Sequence, residues 1–151
     1  MTPAQPLPPG QGIWPSPIDD PYADQYTQPF WDAALNNQLL GYQCADCTTF
    51  IMPPQPFCFN CQSRNLTWVA LPGTGTIYSY TVVRHPLGPH LQPVVPYISA
   101  VINLDGTQGA GARMLANIIN CNPDTIHIGD NVQVTFDKIS DTLAIPRFEP
   151  M

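Results

Sequence analysis

Cys44-Ala45-Asp46-Cys47 and Cys58-Phe59-Asn60-Cys61 decide how this chain folds. Each C-x-x-C presents two thiols from one tight turn, and the ten residues between Cys47 and Cys58 let the two turns close on a single ion. That spacing reads as a rubredoxin-like ribbon. Four sulfur ligands complete a tetrahedral shell and leave no position for water or substrate, so the expected cofactor is a structural Zn2+ held by Cys44, Cys47, Cys58 and Cys61. Iron in a redox site fits the same ligands, and disulfides are the third arrangement. A ribbon over residues 42–65 is too short to bury a core alone, so metal binding supplies much of its folding energy. Tyr42, Phe50, Ile51, Phe57 and Phe59 flank the knuckles and are expected to pack around the metal.

Beyond the ribbon, residues 66–151 read as β-structure. Thr76 to Val83 alternates Ile77, Ser79 and Thr81 with Tyr78, Tyr80 and Val82, the period of a strand with one buried face. Thr67 to Leu71, Tyr97 to Leu104, Met114 to Ile119 and Val132 to Phe136 are the other strand candidates. Gly73-Thr74-Gly75, Asp105-Gly106 and Gly129-Asp130 punctuate them. Five short strands at this spacing predict a small closed barrel of the OB type. Trp68 is expected in its core.

Before the ribbon, residues 27–41 read as a helix. Pro29 suits its first turn, Phe30, Trp31, Ala34 and Leu35 form one apolar stripe, and Gly41 ends it. Residues 1–26 form a Pro-rich extended arm, with Pro3, Pro6, Pro8, Pro9, Pro15, Pro17 and Pro21 excluding helix or central strand. The arm is either a tail or a segment that docks through Trp14 and Tyr22; with Trp31 these are the candidate anchors for a partner protein. The fold expected is thus mainly β: arm, short helix, four-cysteine zinc ribbon, five-stranded OB-fold barrel.

Charge narrows the function. The chain has 151 residues, 11 acidic and 5 basic, for a net charge of −6. Arg64, Arg84, Arg113, Lys138 and Arg147 are scattered, which argues against nucleic acid as a partner. Charged residues make up 11% of the chain, under half the usual ~25%, which suggests a surface partly covered by another protein. No secretory leader and no membrane span are expected, so the paired cysteines point to a reducing, cytoplasmic setting. No catalytic residues are expected, since no triad, paired carboxylates or phosphate loop stands out. Gly106 to Gly111 reads as a flexible hairpin, and Cys121 as a half-buried thiol without a base beside it.

These features together resemble the DUF35 family of zinc-ribbon OB-fold proteins, over Pro29 to Pro150. The carriers are the two knuckles, Pro53-Pro54, Gly73-Thr74-Gly75-Thr76-Ile77-Tyr78-Ser79, Pro96-Tyr97-Ile98-Ser99, Ile128-Gly129-Asp130-Asn131-Val132 and Arg147-Phe148-Glu149-Pro150. The chain departs from the family pattern at Thr48, Gln55 and Phe59, where glycine, arginine and proline are usual. The resemblance implies a role rather than a reaction: an accessory or scaffold subunit, in hetero-oligomer with a thiolase-like protein (thiolase, thiolase-like aldolase or acyltransferase) or with an acyl-CoA hydratase. In some members the barrel helps to hold the CoA part of a substrate. Arg84, His85 and His90 are the residues here that a CoA phosphate would meet, the alternative being a solvated strand end and loop. A nucleic-acid-binding ribbon and a rubredoxin-like electron carrier are the other classes weighed.

Overall fold

A computed structural model of the chain describes residues 23–86, 88–107 and 111–151. Trp14, Tyr22 and nearly all of the expected arm lie outside the described residues. The described chain opens on a turn in which Asp24 Oδ1 accepts from the backbone N–H of Tyr26 (2.9 Å) and Thr27 (2.8 Å). Helix α1, Gln28–Leu35, follows, with a proline in its first turn, and it buries Phe30 and Ala34. The Phe30 and Trp31 rings meet edge to face, 5.1 Å apart.

α1 is shorter than the sequence suggests. It ends at Asn36, and Asn37 takes φ 57, the left-handed conformation that asparagine tolerates. Gly41, expected as the helix stop, instead lies in strand β1, Leu40–Cys44. A Cβ there would stand 2.9 Å from the Phe50 ring and 3.1 Å from Leu71, so glycine answers close packing rather than a helix end.

β1 pairs antiparallel with β2, Leu66–Ala70, and the facing Tyr42 and Trp68 rings lie 4.7 Å apart. The segment expected as the first barrel strand therefore belongs to the ribbon's two-stranded sheet. The barrel still has five strands: β3 (Thr74–Val83), β4 (Tyr97–Leu104), β5 (Arg113–Ile118), β6 (Asn131–Lys138) and β7 (Ala144–Pro150), closed in the order β3-β4-β5-β7-β6. β7, absent from the sequence expectation, carries Pro146 and Pro150, which weaken a strand reading. It pairs with β6 along its whole length. The seam between β5 and β7 is narrow, a single parallel pair Ile118↔Phe148.

Ile77, Ile98, Ile102, Val132 and Phe148 fill the barrel, and Phe30, Leu39, Phe50 and Leu71 join the same core. A core so continuous binds helix, ribbon sheet and barrel together. Among the described residues no helix is long and apolar enough to cross a membrane.

Candidate metal centre

β1 ends on Cys44, and the chain turns back so that Cys44 N–H donates to Thr49 O at 2.9 Å. Thr48 takes φ 60 inside this turn. The second knuckle repeats the device: Cys58 N–H donates to Ser63 O at 2.8 Å, and Gln62 takes φ 62. The four Sγ atoms of Cys44, Cys47, Cys58 and Cys61 all lie within 4.8 Å of one another, with Cys44–Cys61 at 3.6 Å and Cys47–Cys58 at 3.5 Å. A tetrahedral zinc site with bonds of about 2.3 Å sets its sulfurs about 3.8 Å apart. The donor set fits such an ion, and the expected four residues are brought together.

The quartet is asymmetric. Cys44 and Cys58 are fully buried with Ile51, whereas Cys61 is exposed. The Thr49 hydroxyl, then the Thr49 backbone and the Asn60 amide, favour the Cys47 thiolate and bring its pKa to about 6. The Ser63 backbone favours the Cys61 thiolate too, but the neighbouring sulfurs, led by Cys47, and desolvation prevail and push it up to about 12. Cys47 and Cys61 are thus pushed in opposite directions, and a dication among the four sulfurs removes that conflict.

Asp46, inside the first knuckle, accepts from the Ser63 hydroxyl and from Asn65 Nδ2 at 2.8 Å. These bonds, Ser63 first, hold its carboxyl below the usual 3.8 and tie the first knuckle to the loop leaving the second. Sequence spacing gave no sign of this tie. Phe57 and Phe59, expected to pack around the metal, are instead 48% and 67% exposed, because Ile51 and Leu66 cover the buried side of the quartet.

The other expected site residues lie outside this centre. Arg84 follows β3 directly, and its Nη2 donates to Asp124 Oδ1 at 2.6 Å, both exposed. His85 is exposed in the following bend, and His90 falls in a 3-10 turn, Pro89–Leu91. Trp31 is partly buried against the main core. Cys121 is half-buried and burial raises its thiol pKa, the reverse of an activated nucleophile.

Comparison with known proteins follows the same division. Residues 31–67 match the family model described as "ChsH2, rubredoxin-like zinc ribbon domain", and residues 68–137 match "ChsH2, C-terminal OB-fold domain". A DUF35 domain-containing scaffold protein of Methanothermobacter thermautotrophicus is 32% identical over 68% of this chain and 74% of that one. A probable enoyl-CoA hydratase alpha subunit of Thermomonospora curvata is 36% identical over 80% of this chain, which spans only 36% of that subunit. Among solved structures, a chain of an Ltp2-ChsH2(DUF35) aldolase superposes with a TM-score of 0.75 at 32% identity, covering 87% of this chain and 98% of that one. Metal quartet, ribbon, barrel and relatives agree, and the chain belongs to the DUF35 family.

Proposed function

We propose that this chain is a non-catalytic accessory subunit that holds a thiolase-superfamily enzyme of acyl-CoA metabolism in working form, with a zinc ion locking its ribbon. The observation that carries this reading is the likeness to the Ltp2-ChsH2(DUF35) aldolase chain, which extends over nearly all of both chains. The metal site supports a structural role. Its four donors are all cysteine sulfurs, so a bound zinc supplies a cross-link and offers no open position for substrate. What the chain's own residues contribute is a rigid, continuous core from α1 to β7, on which a partner finds a preformed surface.

A second reading has its own support. Two hydratase alpha subunits are among the relatives, the one above and the 3-oxo-4,17-pregnadiene-20-carboxyl-CoA hydratase alpha subunit of Mycobacterium tuberculosis, of which this chain spans 37%. The aldolase-type partner is preferred because the shared part there is 98% of the matched chain, whereas in the hydratases it is a minor part. Co-expression with the host's thiolase-like aldolase subunit tests the choice. A stable complex on size exclusion is expected; a complex with a hydratase subunit alone would favour the second reading.

A further inference from the structure

The outer face of β3, β4 and β5 forms a surface that the metal centre does not use. The chain carries 11 acidic and 5 basic residues, yet Arg113 is the single charged side chain on these three strands. The register sets Ser79, Val101 and Leu115 in one cross-strand row, and Thr76, Asn103 and Arg113 in the next. A register shift between Ile77 and Ser79 inserts Tyr78, and the Arg113 guanidinium carbon lies 3.6 Å from the centre of its ring. Arg113 Nε donates to Asn103 Oδ1 at 2.9 Å. Stack and hydrogen bond fix the guanidinium plane, and its terminal nitrogens have no partner among the described residues. Beside it Leu115 is 71% and Tyr78 47% exposed.

Natural sheets protect such a strand with several charges. β5 carries one cation, a bare leucine, and a second edge that pairs only at Ile118. The charge pattern selects the occupant. A planar guanidinium held in place matches a carboxylate in two-bond geometry. A second copy of this face brings no carboxylate, because β3, β4 and β5 have none. A phosphate monoester carries about −1.5 to −2 charge at neutral pH against one cation here and leaves Leu115 uncovered.

We infer that the β3–β4–β5 face docks the enzyme subunit, which seats an apolar side chain against Tyr78 and Leu115 and one carboxylate on Arg113. This rests on the accessory-subunit reading above. The test measures binding of the zinc-loaded full chain to the host's thiolase-like aldolase subunit by titration calorimetry. Leu115→Glu and Arg113→Glu, with zinc content and melting temperature as folding controls, are each expected to weaken binding at least tenfold. Arg113→Gln is expected to flatten the salt dependence that the wild type shows, an effect that lost packing alone does not produce. In the wild-type complex the β5 amides are expected to exchange more slowly, a reading independent of any variant. Wild-type affinity in both Glu variants, or unchanged β5 exchange, overturns the docking face while leaving the accessory role standing. A wild-type chain that binds neither this subunit nor a hydratase subunit sinks both. A dimer of the chain alone that Leu115→Glu breaks, or coenzyme A binding that Arg113→Gln abolishes, assigns the face to another occupant and likewise overturns the inference.

Discussion

Arg147 Nε donates to Asp137 Oδ2 at 2.8 Å, joining β7 to β6 with side chains only 3% and 12% exposed. The same guanidinium donates from Nη1 to Asn117 Oδ1 on β5 at 3.0 Å, and Asn117 Nδ2 donates to Ile98 O on β4 at 3.1 Å. This polar clasp spans the seam where β5 and β7 share only one backbone pair. It is therefore a side-chain closure of the barrel where strand pairing is thinnest. Arg147→Met is expected to destabilise the fold by about 3 kcal/mol, because the Asp137 carboxylate loses its buried cation. Urea unfolding measures this; a loss no larger than that of a surface substitution would remove the clasp from the account. The double variant Arg147→Met with Asp137→Leu is expected to recover much of the loss.

Cys58 is fully buried in the quartet. Cys58→Ser is expected to lower bound zinc well below one equivalent by elemental analysis and to leave the ribbon amides unprotected, since metal binding and ribbon folding are linked. Stoichiometric zinc in this variant would contradict the ligand assignment.

Asp46 lies outside the four-cysteine donor set and braces it through Ser63 and Asn65. Asp46→Ala is expected to speed zinc loss to a chelator about tenfold, the scale on which partners behind a metal ligand act. The pH dependence has a defined sign. The carboxyl is held below its usual 3.8, so its contribution is complete above that value and is lost as pH falls through the lowered one. The stability difference between wild type and Asp46→Asn is expected to be flat above pH 3.8 and to shrink below it. A difference that grows on acidification would refute this sign.

Gly75 pairs with Leu104 on β4 and with Val132 on β6. A Cβ there would run into the Asn103 backbone carbonyl and lie 2.8 Å from Ile102 Cγ2. Backbone cannot step aside as a side-chain tip does, so Gly75→Ala is expected to cost about 2 kcal/mol or more in a thermal melt. Neutral behaviour would mean that β3 shifts freely against β4.

The ribbon and its cysteine quartet were legible because C-x-x-C spacing dictates local geometry before any tertiary contact forms. Tyr97–Leu104 was legible from its run of β-branched and apolar residues, and in the barrel those residues alternate between half-buried and buried. Leu66–Ala70 has the same β-rich composition, but its partner is β1, and composition does not name partners. Ala144–Pro150 was hidden by its prolines. Gly41 resembled a helix stop because sequence cannot distinguish a glycine needed for turning from one needed for the approach of Phe50. Arg147–Asp137 and Arg113–Tyr78 are tertiary pairs whose partners come from different strands, so each arginine read as one more scattered cation.

Activity tests the central claim most directly. The thioester-dependent turnover of the host's thiolase-like aldolase subunit is measured alone, with this zinc-loaded chain, and beside the chain by itself. The account predicts full turnover in the mixture, little from the enzyme subunit alone and none from this chain. An enzyme subunit fully active without the chain, or turnover by the chain unaided, would contradict it.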